Sequence, residues 1–175
     1  AIAASATGDT INFDSLLSGE SITLGSTLNI NKNLTIDGSA LALKITISGN
    51  NSVPVFEVSS SITTTLTSLI ISKGKSGDYG GGIRNLGTLY LLNSIVSDNS
   101  AIESGGGIHN LGRLNIANST ISNNSSYFGG GVLNLGESLQ IANTTIVGNS
   151  AAEGGGIHNA SALSLSNSTV SNNSA

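Results

Sequence analysis

Acid–base or metal chemistry in this chain has few residues to draw on: two histidines, ten Asp and Glu, six Lys and Arg, and no cysteine. His109 and His158 stand in the same local text, GGGIHN. Asp78 and Glu103 stand 25 residues apart, close to Lys73 and Lys75, with Glu153 one position out of step. Carboxylates completed by backbone carbonyls make a weak Ca2+ site, and the same residues also make an ordinary surface charge cluster. Without cysteine there is no disulfide, no thiolate nucleophile and no zinc–cysteine centre. What the remaining groups can do depends on how the chain between them places them.

That chain is a repeat. The stretch Gly105 to Ser125, GGGIHNLGRLNIANSTISNNS, has close copies starting at Gly80, Gly129 and Gly154, at intervals of 25, 24 and 25 residues. A fixed period in this range marks a stacked solenoid. Within one copy, three short period-2 runs bury Ile108, then Leu114 and Ile116, then Ile121, and they are separated by bends at Asn110, Asn118 and Asn124. Three strands and three corners predict a coil of triangular cross-section. Gly81, Gly106, Gly130 and Gly155 fit corners where coils approach closely.

Superposed copies form columns: Ile83, Ile108, Val132 and Ile157; Leu89, Leu114, Leu139 and Leu163; Leu91, Ile116, Ile141 and Leu165; Val96, Ile121, Ile146 and Val170. The asparagines form three more, predicted as structural ladders: Asn85, Asn110, Asn134 and Asn159; Asn93, Asn118, Asn143 and Asn167; Asn99, Asn124, Asn149 and Asn173. An amide at a bend can bond the local backbone and also the identical amide above it. The N-x-S/T sequons at Asn118 and Asn143 coincide with these corners and are read as structure, not as glycosylation sites.

Before the regular copies, TINF, SITL, LNIN, LTID, ITIS, VFEV and TTLTSLIIS read as strand-length runs, with the single proline, Pro54, at a strand entrance. The whole chain is therefore one all-β domain, a single-stranded parallel β-helix of three sides and about seven coils. Residues 80–175 are four regular repeats, 9–79 are irregular coils, and 1–8 are an Ala-rich remnant of an N-terminal cap ending at Gly8. The extra residue at Glu137-Ser138 should bulge outward at a corner. Disorder is the rival reading of low charge and abundant Gly and Ser, but it would not hold Ile, Leu and Val in register every turn.

Composition excludes several functions. A net charge of −4 with six Lys and Arg cannot assemble the basic face that nucleic acid requires. No apolar run approaches the ~18 residues of a membrane helix.

The frame also places the candidate groups. His109 and His158 fall in one outward column two rungs apart, about 10 Å at the strand spacing, too far to share a zinc ion that needs donors about 2.1 Å away; both are expected to be solvated. Asp78 and Glu103 share a corner on adjacent rungs. Tyr127 and Phe128, on the same corner, are two of only six aromatics and form the candidate contact loop for a glycan or a partner chain. The outward positions of the Leu/Ile strand, Thr88, Tyr90, Arg113, Asn115, Ser138, Gln140, Ala162 and Ser164, include no carboxylate. The Thr/Ser pairs on the third strand, such as Thr120 and Ser122, keep an ice-binding face open as a minor alternative. No cofactor site is read from these residues.

The alternation of GGGI with I-S-x-N or V-S-x-N turns, as in ISNNSSYFGGGV, resembles the GGA(I/L/V) and FxxN repeats of chlamydial polymorphic outer-membrane proteins. It is more similar still to large right-handed parallel β-helix surface proteins of cyanobacteria and other environmental bacteria. In those, a segment similar to GDTINFD, SITL, LTIDG, ITISGNN and VFEV precedes GGGIxNxGxLxLxNSTIxxN repeats, and a capping helix precedes GDTI. The resemblance implies a right-handed β-helix in an exported, surface-associated protein used in adhesion or as a stalk, with no catalytic residues to carry over. Parallel β-helices also include polysaccharide lyases, which use several carboxylates in an outward groove, often with Ca2+.

The sequence therefore predicts a non-enzymatic rod or adhesin segment, extracellular or on a cell surface. The alternatives are a subunit of an end-to-end stacked fibre, joined through open terminal coils, and a polysaccharide-binding or polysaccharide-degrading β-helix. The partners to look for are a second copy of the chain and a glycan or host-surface ligand.

Overall fold

The computed structural model describes all residues, 1–175. It is an all-parallel β-solenoid with three long sheets. The first sheet stacks seven strands, Thr10–Asn12, Leu34–Asp37, Thr63–Thr67, Thr88–Leu92, Arg113–Ala117, Ser138–Ala142 and Ala162–Ser166. The second also stacks seven, from Ser21–Thr23 through Thr120–Ser122 to Thr169–Ser171. The third has six, from Leu28–Ile30 through Ile108–Asn110 to Ile157–Asn159. The chain thus makes six complete turns and two sides of a seventh, slightly fewer than the seven coils predicted. At the strand spacing this is a rod of about 30 Å.

Register follows the repeat. Ile83 pairs with Ile108, Ile108 with Val132 and Val132 with Ile157. Leu89, Leu114, Leu139 and Leu163 pair in succession, as do Val96, Ile121, Ile146 and Val170. Each column is a continuous aliphatic stack, and the columns merge into one core of 23 buried side chains running from Ile30 to Ile146. The stack extends into the irregular turns through Ile11, Ile36 and Leu66 below Leu91.

Several local readings change. The run TTLTSLIIS is two strands, Thr63–Thr67 and Leu69–Ser72, because Ser68 takes a left-handed corner at φ 59° and turns the chain from the first sheet to the second. In the Leu column Thr64 sits between Leu34 and Leu89, fully buried. Its Oγ1 has no hydrogen-bond partner.

At the N-terminus Ile2–Ala4 form one 3-10 turn, and Lys32 Nζ donates to the carbonyls of Ala3 and Ser5. A second 3-10 turn, Ser15–Leu17, has no counterpart in the sequence reading; Asp14 caps it by accepting from the Leu16 amide.

The glycine pair at each copy's start divides two tasks. Gly105 is left-handed at φ 64°, as are Gly80, Gly129 and Gly154, and a Cβ there would lie 2.6 Å from His109 Cα. Gly106 has no such angle; the Ser125 carbonyl of the next turn occupies the space its side chain would need. The extra residue of the third copy is Glu137, since Arg113 pairs with Ser138 while Asn110 pairs with Asn134. It stands out at the corner, where Arg113 Nε donates to its carboxylate at 2.6 Å.

Candidate functional site

Two of the three predicted asparagine ladders are continuous hydrogen-bonded amide chains. Asn85 donates to Asn110, Asn110 to Asn134 and Asn134 to Asn159, each from Nδ2 to Oδ1 at 2.7 Å. Asn99, Asn124, Asn149 and Asn173 repeat the pattern at 2.9 to 3.0 Å, and the Oδ1 of Asn124, Asn149 and Asn173 also accepts the backbone amide of the asparagine below, as that of Asn99 accepts the Gly74 amide. Except for Asn159 and Asn173 in the last turn, these amides are buried inside the coil, so they satisfy corner groups that water cannot reach.

The third set differs from its reading. Asn93, Asn118, Asn143 and Asn167 point into solvent and form no side-chain ladder; they are the left-handed corner residues, with φ between 47° and 51°. Asparagine is chosen there because its short polar side chain tolerates that region. The ladder at this corner belongs to the following hydroxyl. Ser94 Oγ accepts from the Leu69 amide, Ser119 Oγ from Ser94, Thr144 Oγ1 from Ser119 and Ser168 Oγ from Thr144. Each hydroxyl in turn donates to the carbonyl two residues before it. The sequence signal was the Ser or Thr that follows Asn in every copy.

The outward column of the third sheet runs Glu57, Arg84, His109, Leu133 and His158. His109 is not solvated as predicted but only 4 % exposed. Tyr79, from the corner of the turn below, folds over it with ring centroids 5.0 Å apart and planes 22° apart. Burial, and then the positive charge of Arg84 beside it, lower the imidazole pKa to about 4. The ring is therefore neutral at pH 7, and its Nδ1 has no partner. Arg84 is half-buried, with Nη1 3.2 Å from Glu57 Oε2, and its Nε is also buried and unbonded.

Phe128 repeats the arrangement two turns later. It meets His158 edge-on at 5.5 Å and is itself met edge-on by Tyr127 at 4.6 Å. The corner residues Tyr79, Ser104, Phe128 and Glu153 stack in one column and form a wall beside the sheet. Leu111 and Leu135, both well exposed, form the opposite wall. Between them lies a largely apolar cleft of about 540 Å3 with His109, Leu133 and His158 on its floor. A second, more polar cleft of about 390 Å3 shares Tyr79 and Arg84 and continues down past Glu57 to Asn29. The two make one trough along the rod.

Of the predicted contact loop, Phe128 lines this trough and Tyr127 stands beside it, 55 % exposed. Asp78 and Glu103 are exposed on adjacent rungs of the corner, linked through their backbones by a bond from the Glu103 amide to the Asp78 carbonyl. No third His, Asp or Glu gathers with them into a metal-holding group, and Lys73 and Lys75 form no ion pair with them. Glu103 lines the apolar cleft and Asp78 the polar one. Neither Tyr79 nor Arg84 nor Leu111, Leu133 and Leu135 stands out from the strand alternation alone. The available signal was YGGGI and FGGGV, an aromatic before the glycines in alternate copies.

The arrangement offers ring faces, aliphatic surface and a carboxylate rim, with neutral imidazole between. No helix of the structure is long and apolar enough to cross a membrane. Compared with models of known protein families, with curated proteins and with solved structures, the chain matches none of them.

Proposed function

We propose that this chain is a non-enzymatic rod in an exported, surface-associated protein of the bacterial GGGI-repeat β-helix kind, serving as a stalk or adhesin segment. One observation carries the reading. The residues that recur in every copy, Ile108, Leu114, Ile116 and Ile121 with Asn110, Ser119 and Asn124, are all consumed in stacking one turn on the next. A solenoid made this way is stiff and resists local opening, because each turn is hydrogen-bonded on both sides. Stiffness at small mass is what a surface spacer supplies.

The test is accessibility on intact cells that express the native protein. Antibody raised against the rod should label unbroken cells, and added protease should remove the epitope. Labelling only after lysis would contradict the reading, as would turnover of a polysaccharide by the purified chain.

A further inference from the structure

The trough on the third face carries side chains that a plain rod does not need. On the other two faces the outward residues are mainly small or polar, such as Thr120, Ser122 and Asn115. Here the floor and walls are Tyr79, His109, Phe128, Leu133 and Leu135. Two aromatic–imidazole pairs, Tyr79 with His109 and Phe128 with His158, recur two rungs apart. That interval is about 9.6 Å along the rod.

A chain lying in the trough makes equivalent contacts at both pairs only if its own repeat matches. An extended β-strand presents one face every two residues, about 6.7 Å, and fails. A polyproline II helix returns to the same face every three residues, about 9.3 Å, and fits.

Charge completes the match. Arg84 is neutralised by Glu57, which leaves the carboxylates of Asp78, Glu103 and Glu153 along the wall. An oligosaccharide would require many more polar partners than this mainly apolar lining provides. We propose that the trough docks an extended, proline-rich, basic peptide segment in polyproline II conformation, with prolines against Tyr79 and Phe128 and a basic side chain against Glu103.

The probe is a fluorescein-labelled proline-rich peptide of about twelve residues, about 37 Å long as polyproline II, carrying two arginines. Binding is read by anisotropy at low salt. Saturable binding is expected, weakened about tenfold by Tyr79→Ser and by Phe128→Ser, and about threefold by Glu103→Gln. Serine is the residue this column already carries at Ser104, so both aromatic variants should fold, and circular dichroism melts check this. Absence of saturable binding by the natural chain would overturn the proposal. So would binding that both serine variants leave unchanged, or displacement of the peptide by a neutral hexasaccharide that saturates the trough itself. None of these outcomes touches the rod reading, which concerns the core and the ladders.

Discussion

Tyr79 and His109 lie on successive turns and stack ring on ring at 5.0 Å, so that a corner residue of one coil closes over the strand residue of the next. The consequence is a buried neutral imidazole in a column whose next member is the aliphatic Leu133.

This burial makes stability depend on pH. The unfolded imidazole titrates near 6.5 and the folded one near 4, so between those values the unfolded chain holds the extra proton. Stability is therefore complete above about pH 6.5 and falls as pH drops toward 4, by about 2 kcal/mol at pH 5. In His109→Leu, which copies the residue one rung up, that share of the loss should vanish. Urea melts at pH 7.5 and pH 5 measure it. An equal loss in both proteins would show that His109 is not protected from protonation.

The two kinds of corner asparagine should respond differently to truncation. Asn124→Ala strips partners from the buried Asn99 amide and the Val96 carbonyl, and breaks the ladder on both sides. A cost of roughly 3 kcal/mol follows, at about 1–3 kcal/mol per buried polar group left unpaired. Asn118→Ala places alanine at a left-handed, exposed corner and should cost about 1 kcal/mol. Equal costs in denaturant melts would mean that the amide ladder adds nothing beyond corner geometry.

Much of this was legible in advance, and the parts that were not share a cause. The inward columns through Ile121 and Leu114 follow from period-2 burial within a copy and identity between copies. So does the outward bulge at Glu137. The burial of His109 does not, because a strand's alternation says which face a side chain leaves from but not what folds over it from the neighbouring corner. Nor does the solvent exposure of Asn118, whose place in the corner ladder Ser119 holds. Both are small polar residues at a turn, and only the left-handed φ at Asn118 decides which one turns inward. The trough was missed because the outward strand positions were read alone, whereas its walls are corner residues such as Tyr79 and Leu111.

Thr64 is a flaw that can be repaired. Its hydroxyl is buried in a leucine column with no partner, and Thr64→Val keeps the shape while removing the unpaired oxygen. The variant should be more stable by about 1–2 kcal/mol, read as a rise in the thermal midpoint. A fall would indicate that the hydroxyl is satisfied in solution.

If the repeated residues stack the turns into one cooperative rod, Ile121→Asp and Thr120→Asp should differ sharply in a thermal melt. Ile121 is fully buried in the column between Val96 and Ile146, while its neighbour Thr120 faces outward on the second sheet. Ile121→Asp should abolish the cooperative transition, since a carboxylate in that core exceeds the cost a single turn can absorb. Thr120→Asp should shift the midpoint by only a few degrees, on the order of 0.5 kcal/mol. An unchanged melting curve for Ile121→Asp would show that Ile121 does not carry the core of the rod.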